Sequence, residues 1–149
     1  MHTSDSPALS TPTATELWFV MNSLVRDQAT ESSARISARI DMPFSRFRAL
    51  RRIAVGEMTQ TELARRLSID APATSVIVND LVDRGLVIRT EHATDRRFKV
   101  VAITAAGRAV VDSVTADDTA APPMFDALDD DRRRALGELL ELLRSAAES

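Results

Sequence analysis

The stretch from Thr59 to Ile103 constrains this chain more than any other, because it sets two short helical patterns only three residues apart. Thr59-Gln60-Thr61-Glu62 reads as a capping box, in which the hydroxyl satisfies a free amide and the carboxylate reaches back. Leu63, Ala64 and Leu67 follow on one helical face. Ser68-Ile69-Asp70 breaks the pattern, and Asp70 can cap a second helix that Pro72 opens. Thr74, Ile77, Val78 and Leu81 recur at i, i+3, i+4 and i+7, and Gly85 supplies the stop. A junction this short obliges the helices to turn and pack at once, as a helix-turn-helix.

Two β-patterned runs follow, Leu86-Val87-Ile88-Arg89-Thr90 and Phe98-Lys99-Val100-Val101-Ala102-Ile103. The polar segment His92-Ala93-Thr94-Asp95-Arg96-Arg97 joins them without a two-residue glycine turn, so the hairpin is expected to carry a protruding tip. A helix-turn-helix followed by such a hairpin is the winged-helix layout. The expected fold class is mainly α with a small β-hairpin wing (α+β), flanked by helical arms. Upstream, Thr13-Ala14-Thr15-Glu16 is another capping box, and Leu17, Trp18, Val20, Met21, Leu24 and Val25 predict a helix to about Thr30. The segment from Ser32 to Asp41 is weakly patterned. Met42-Pro43-Phe44-Ser45 opens a further helix that turns Phe47, Leu50 and Ile53 inward and ends at Gly56. Thr104-Ala105-Ala106-Gly107-Arg108 begins a helix that Pro122-Pro123 must interrupt, since proline has no amide donor. Asp129-Asp130-Asp131 sets acids at the start of a last helix bearing Leu136, Leu139, Leu140 and Leu143. Residues 1–12, rich in Ser, Thr and Pro, read as a disordered tail.

A net charge of -3 conceals a strong asymmetry. Residues 44–108 hold 12 basic against 7 acidic side chains, +5, between flanks of -2 and -6. Chance clustering on a solvated surface gives such a basic centre as readily as a function does; all its cations but Lys99 are arginines, which can bind phosphate and guanine bidentately, a bias that genome composition equally produces. The 149 residues contain no cysteine, which excludes disulfides, thiolate metal sites, cysteine nucleophiles and thiol sensing. The expected location is a reducing cytoplasm: the first residues lack the basic flank and apolar stretch of a signal peptide, and no run is long enough to span a membrane. His2 and His92 stand far apart, and no glycine-rich phosphate loop or catalytic set is visible. Neither enzyme nor metalloprotein is expected, and no cofactor.

In its motifs the chain resembles the MarR family of transcriptional regulators, across roughly Thr15 to Leu143. Phe47-Arg48-Ala49-Leu50, Leu63-Ala64-Arg65-Arg66-Leu67, Leu81-Val82-Asp83-Arg84-Gly85-Leu86-Val87, Asp95-Arg96-Arg97 and Thr104-Ala105-Ala106-Gly107-Arg108 carry the likeness. The most specific part is the Asp-Arg-Arg tip followed by the Thr-x-x-Gly helix start. The resemblance implies one domain over 13–149, with dimerisation helices in 13–42 and 104–149 around a DNA-binding lobe in 43–103. It implies a homodimer that places recognition helices in successive major grooves of double-stranded DNA and wings in the flanking minor grooves. It further implies a repressor of a pseudo-palindromic operator, released by a small aromatic or phenolic effector. Two features differ from the family pattern: a recognition helix poor in basic residues, and Pro122-Pro123 inside what is usually one long helix.

On this reading DNA is met by Gln60, Thr61, Pro72, Ala73, Ser75, Val76, Asn79, Arg96 and Arg97. Gln60 and Thr61 lie at a helix start, where free amides suit a phosphate. Asn79 can pair with adenine or equally be a solvated surface amide, and Ala73 or Val76 can touch a thymine methyl; an arginine-read guanine code is not expected from this helix. Asp95 is expected to brace one wing arginine while the other enters the minor groove. Trp18, Phe19, Phe44 and Phe47 are candidates for an effector pocket, although aromatics at helical spacing are more often plain core. Leu17, Met21, Leu24, Leu136, Leu139, Leu140 and Leu143 are the candidate dimer contacts. A second reading stays open at this point: a winged-helix module for protein partners, without sequence-specific DNA binding.

Overall fold

A computed structural model describes residues 10–149. Nine of the twelve tail positions lie outside the described residues; Ser10 to Pro12 are exposed and without regular structure. Helix α1 spans Ala14–Ile40, and its capping box forms: Glu16 N donates to Thr13 Oγ1 at 3.2 Å and Thr13 N donates to Glu16 Oε2 at 2.8 Å. It runs ten residues past the end expected at Thr30. The segment from Glu31 to Ile40 has no Gly or Pro to stop it, and Arg35 bonds Glu31 one turn back. Ile36 and Ile40 there pack against the core, which supplies the burial that a weak pattern concealed. Asp41 ends the helix in the left-handed region at φ 52°.

Helix α2 (Phe44–Val55) buries Phe47, Ala49, Leu50 and Ile53. Helices α3 (Gln60–Leu67) and α4 (Ala71–Asp83) form the helix-turn-helix. Only half of the capping box at α3 forms: Thr59 Oγ1 accepts from Glu62 N, whereas the Glu62 carboxylate turns to Arg65 and Arg66. Asp70 caps α4 by accepting from Ala73 N at 2.7 Å, with Pro72 second in the helix rather than first. At the far end Leu86 N donates to Leu81 O and Gly85 N to Val82 O. These are the two bonds of a Schellman motif, and Gly85 at φ 73° supplies the left-handed residue it needs.

Strands β2 (Val87–Glu91) and β3 (Lys99–Ile103) pair antiparallel with Val87 opposite Ile103 and Glu91 opposite Lys99. Both start one residue later than the sequence pattern suggests. A two-residue strand, β1 (Met58–Thr59), adds to the other edge of β3 and closes a three-stranded sheet in the order β1-β3-β2. The observed architecture is therefore mainly helical with a small antiparallel sheet. Helix α5 (Ala105–Thr115) is locked to the sheet by its first residues. Thr104 N donates to Leu86 O, Thr104 Oγ1 donates to Gly85 O, and Gly107 N donates back to Thr104 Oγ1. A β-carbon on Gly107 would lie 2.1 Å from Leu86 O, so only glycine fits. The Thr-x-x-Gly spacing is thus a packing requirement where helix meets wing.

Helix α5 ends at Thr115, before the prolines; short 3-10 turns at Asp118–Ala120 and Pro123–Ala127 lead to α6 (Asp130–Ala147). Arg35 donates to Ala121 O at 2.8 Å and Arg39 pairs with Asp117, which fastens this linker to α1. The core lies between Met42 and Val114 and includes Leu63, Val78, Leu81, Val87 and Val101. Val111 and Val114 make α5 part of that core, although the sequence reading set the lobe's limit at residue 103. Helices α1 and α6 contain no fully buried residue. No helix among the described residues is long and apolar enough to cross a membrane.

Candidate nucleic-acid interface

The exposed face of α4 is the one opposite Thr74, Ile77, Val78 and Leu81. Pro72, Ala73, Val76 and Asn79 lie on it, with Ser75 half-buried beside them. None of these side chains is charged. Val76 leaves 58% of its surface exposed, an apolar side chain where nothing of this protomer covers it. Gln60 Nε2 donates to Ser75 Oγ at 2.7 Å, so the first residue of α3 is tied to the middle of α4, and Thr61 stands exposed next to it. The acidic neighbour, Asp80, turns away. Its carboxylate accepts from Arg46 Nε at 2.9 Å and from Arg84 Nε at 3.0 Å, and these two guanidinium groups hold it below the usual carboxylate range. This ion triad joins α2 to α4 and leaves a net positive charge beside the exposed face of α4.

The wing resolves which arginine is braced. Asp95 Oδ1 accepts from Arg97 N at 3.1 Å and from Arg97 Nε at 3.0 Å, while Oδ2 accepts from Arg97 Nη2 at 2.7 Å. These bonds keep the Asp95 carboxyl below its ordinary range and ionised near neutrality. Arg97 also lies 6.0 Å from the centre of the Phe98 ring. Arg96 is left 89% exposed, and its nearest acid, Glu91, is 3.7 Å away, beyond hydrogen-bond reach. The hairpin tip therefore carries one fixed and one extended cation. His92 Nδ1 accepts from the amides of Thr94 and Asp95 and folds the loop behind them.

Arg89 is a residue that the motif reading passed over. Along β2 it alternates onto the face of Val87, toward α4, and its Nη2 donates to Asn79 Oδ1 at 2.5 Å. The period-two pattern could have flagged it, since a charged side chain beside a buried valine must find a partner.

The four aromatics considered for an effector pocket do not converge within one protomer. Phe47 is fully buried in the core, and Phe44 packs beside it with ring centres 6.5 Å apart. Trp18 and Phe19 lie on the first turns of α1 with more than half their surface in solvent. An open cleft of about 490 Å³ lies elsewhere, between β1 and the wing base, lined by Glu57, Met58, Thr59, Thr90, Glu91, His92, Ala93 and Val100. Among the described residues no cluster of three or more His, Asp or Glu could hold a metal ion. The arm positions are exposed: Leu17, Leu24, Leu139, Leu140 and Leu143 keep 44–60% of their surface, Met21 keeps 36%, and Leu136 is half-buried.

Residues 40–97 match a family model described as the MarR family. No curated protein matches the chain. Among solved structures it is similar to a mutant of MepR from a multidrug-resistant S. aureus clinical isolate, at 17% identity and a TM-score of 0.77. That likeness covers 92% of this chain and 99% of the other. A probable transcriptional regulator from Pseudomonas aeruginosa is 25% identical with a TM-score of 0.60, covering 82% and 95%. A mutant of MarR from E. coli, solved in complex with operator DNA, is 20% identical with a TM-score of 0.61, covering 89% and 99%.

Proposed function

We propose that the chain, whose residues 40–97 match the MarR family model, is a MarR-type transcriptional regulator: a homodimeric repressor binding a pseudo-palindromic operator. The observation that carries this reading is the wing: a hairpin whose Asp95 fixes Arg97 and leaves Arg96 extended beyond the fold. Such a cation gains little from its own protein, its ion pair with Glu91 being long and exposed at 3.7 Å, and it suits a minor-groove phosphate wall. Beside it, α4 offers Pro72, Ala73, Ser75, Val76 and Asn79 to the major groove, where Ala73 and Val76 suit thymine methyls. Gln60 and Thr61 at the start of α3 suit a backbone phosphate.

Residues 13–149 act as one domain in this proposal. The exposed stripes on α1 and α6 are its dimer surface: Leu17, Met21 and Leu24 on one, Leu136, Leu139, Leu140 and Leu143 on the other. Buried on association, these side chains remove apolar surface that a lone protomer leaves in water. Two-fold symmetry then sets half-sites about 10 base pairs apart, centre to centre. The scattered aromatics lend no support to an effector site built from one protomer.

The uncharged face of α4 favours a second reading, a module that binds protein and not specific DNA. Sequencing the genomic fragments retained by purified protein, with sedimentation at micromolar concentration, separates the two. The repressor reading expects a recurrent palindrome and a dimer. Fragments without a common motif favour the second reading.

A further inference from the structure

Asn79 is the polar carboxamide on the exposed face of α4, and the strand behind it determines which end of that amide faces outward. Arginine has only donors. The amide atom beside Arg89 Nη2 must therefore be the acceptor, and Oδ1 occupies that place at 2.5 Å. The opposite arrangement would set donor against donor. Arg89 has little freedom to withdraw: it is half-buried, and its Nε is buried with no hydrogen-bond partner among the described residues. The bond to Asn79 is the hydrogen bond its side chain makes among them. With one lone pair of Oδ1 engaged by Arg89 and the oxygen held toward β2, Asn79 turns its Nδ2 donors to whatever meets α4.

In the major groove adenine shows an acceptor beside a donor, and a free asparagine matches both. Guanine shows two acceptors, N7 and O6. A carboxamide held with its Nδ2 end foremost meets the N6 donor of adenine with a donor, and both guanine acceptors with a match. We infer that Arg89 is a positioning residue that converts Asn79 from a reader of adenine into a reader of guanine, through the Arg89–Asn79 contact between β2 and α4. The inference rests on the DNA-binding reading above. It differs from the expectation that Asn79 pairs with adenine, and it allows a guanine in the half-site without an arginine on the recognition helix.

The test is selection of bound duplexes from a randomised pool by the full-length protein, followed by binding measurements on single-base variants. Wild type is expected to prefer guanine over adenine roughly fivefold at one position of each half-site, the low end of the discrimination a good base contact gives. Asn79→Ala loses that preference. Arg89→Met, which keeps the aliphatic stem and removes the donors, shifts it to adenine, while Arg89→Lys, which keeps a donor, retains guanine. Asn79→Asp is exposed and perturbs folding little; it loses the donors and is expected to turn toward cytosine, whose N4 donates. Asn79→Ala, Arg89→Met and Arg89→Lys should keep the wild-type salt dependence.

A wild-type preference in Arg89→Met or Asn79→Asp overturns the inference. So does a shallower salt slope on every sequence for Arg89→Met, because it would mean that Arg89 meets phosphate directly. If wild-type protein binds no duplex in a salt-dependent way, the DNA-binding reading falls, and this inference with it.

Discussion

Replacing Gly107 by alanine tests the packing that holds the wing against the lobe. The new β-carbon would lie 2.1 Å from Leu86 O, 2.8 Å from Ile103 Cγ1 and 3.0 Å from Leu86 C. Two of these are backbone atoms, so no rotamer change relieves the contact. Leu86 O also accepts the Thr104 amide at 3.0 Å, and retreat of that carbonyl loosens the bond. Overpacking costs about 3 kcal/mol at the upper end of its usual range, and the weakened hydrogen bond adds about 1 kcal/mol. Alanine recovers about 1 kcal/mol through its helix propensity. The net loss is about 3 kcal/mol, or a Tm lower by about 10 °C for a chain of this length. Urea and thermal unfolding at one fixed protein concentration measure it, since association would otherwise shift the apparent stability. Gly137→Ala in α6 is the matched control: a β-carbon there meets nothing within 4 Å, and the variant should gain up to about 1 kcal/mol. If Gly107→Ala matches or exceeds wild type in stability, the steric account of the Thr-x-x-Gly start is refuted.

Asp95→Ala should weaken DNA binding less than loss of a wing arginine, because Asp95 shapes the tip without facing phosphate; equilibrium binding to one duplex ranks the variants. Leu140→Glu should shift sedimentation toward monomer at micromolar protein and leave the helical content of the lobe intact, as Leu140 is 44% exposed in the protomer. Glu62, held at about 2 by its bonds to Arg65 and Arg66, contributes stability that is fully present above its ordinary value of 4.5. That contribution is lost as pH falls from 4.5 through 2. Glu62→Gln should accordingly be less stable than wild type at neutral pH, and the gap should close in acid melts.

Much of this fold was legible because it is local. Capping at Thr13 and Asp70, the i, i+3, i+4, i+7 stripe of α4 and the glycine stop at Gly85 are short-range preferences that packing reinforces. What stayed hidden depends on distant partners. The second half of α1 has a poor stripe and is kept helical by Ile36 and Ile40 meeting the core and by Arg35 reaching Ala121. Strand β1 is two residues long, too short for any periodicity, and exists only because the edge of β3 is open to it. The same division holds at the interface. The Asp-Arg-Arg motif marked the wing, yet the assignment of the brace to Arg97 needed the loop geometry. Arg89 appears beside Asn79 only once the hairpin has folded over α4.

The central claim, a DNA-binding dimer whose wings carry much of its affinity, is tested most directly by the salt dependence of duplex binding in wild type and Arg96→Ala. Each phosphate contact contributes about 0.9 to the slope of log affinity against log salt, and a dimer has two wings. The account predicts salt-dependent binding by wild type, weaker binding of every duplex by Arg96→Ala, and a slope shallower by about 1.8. A dimeric Arg96→Ala protein with wild-type affinity and slope would contradict it.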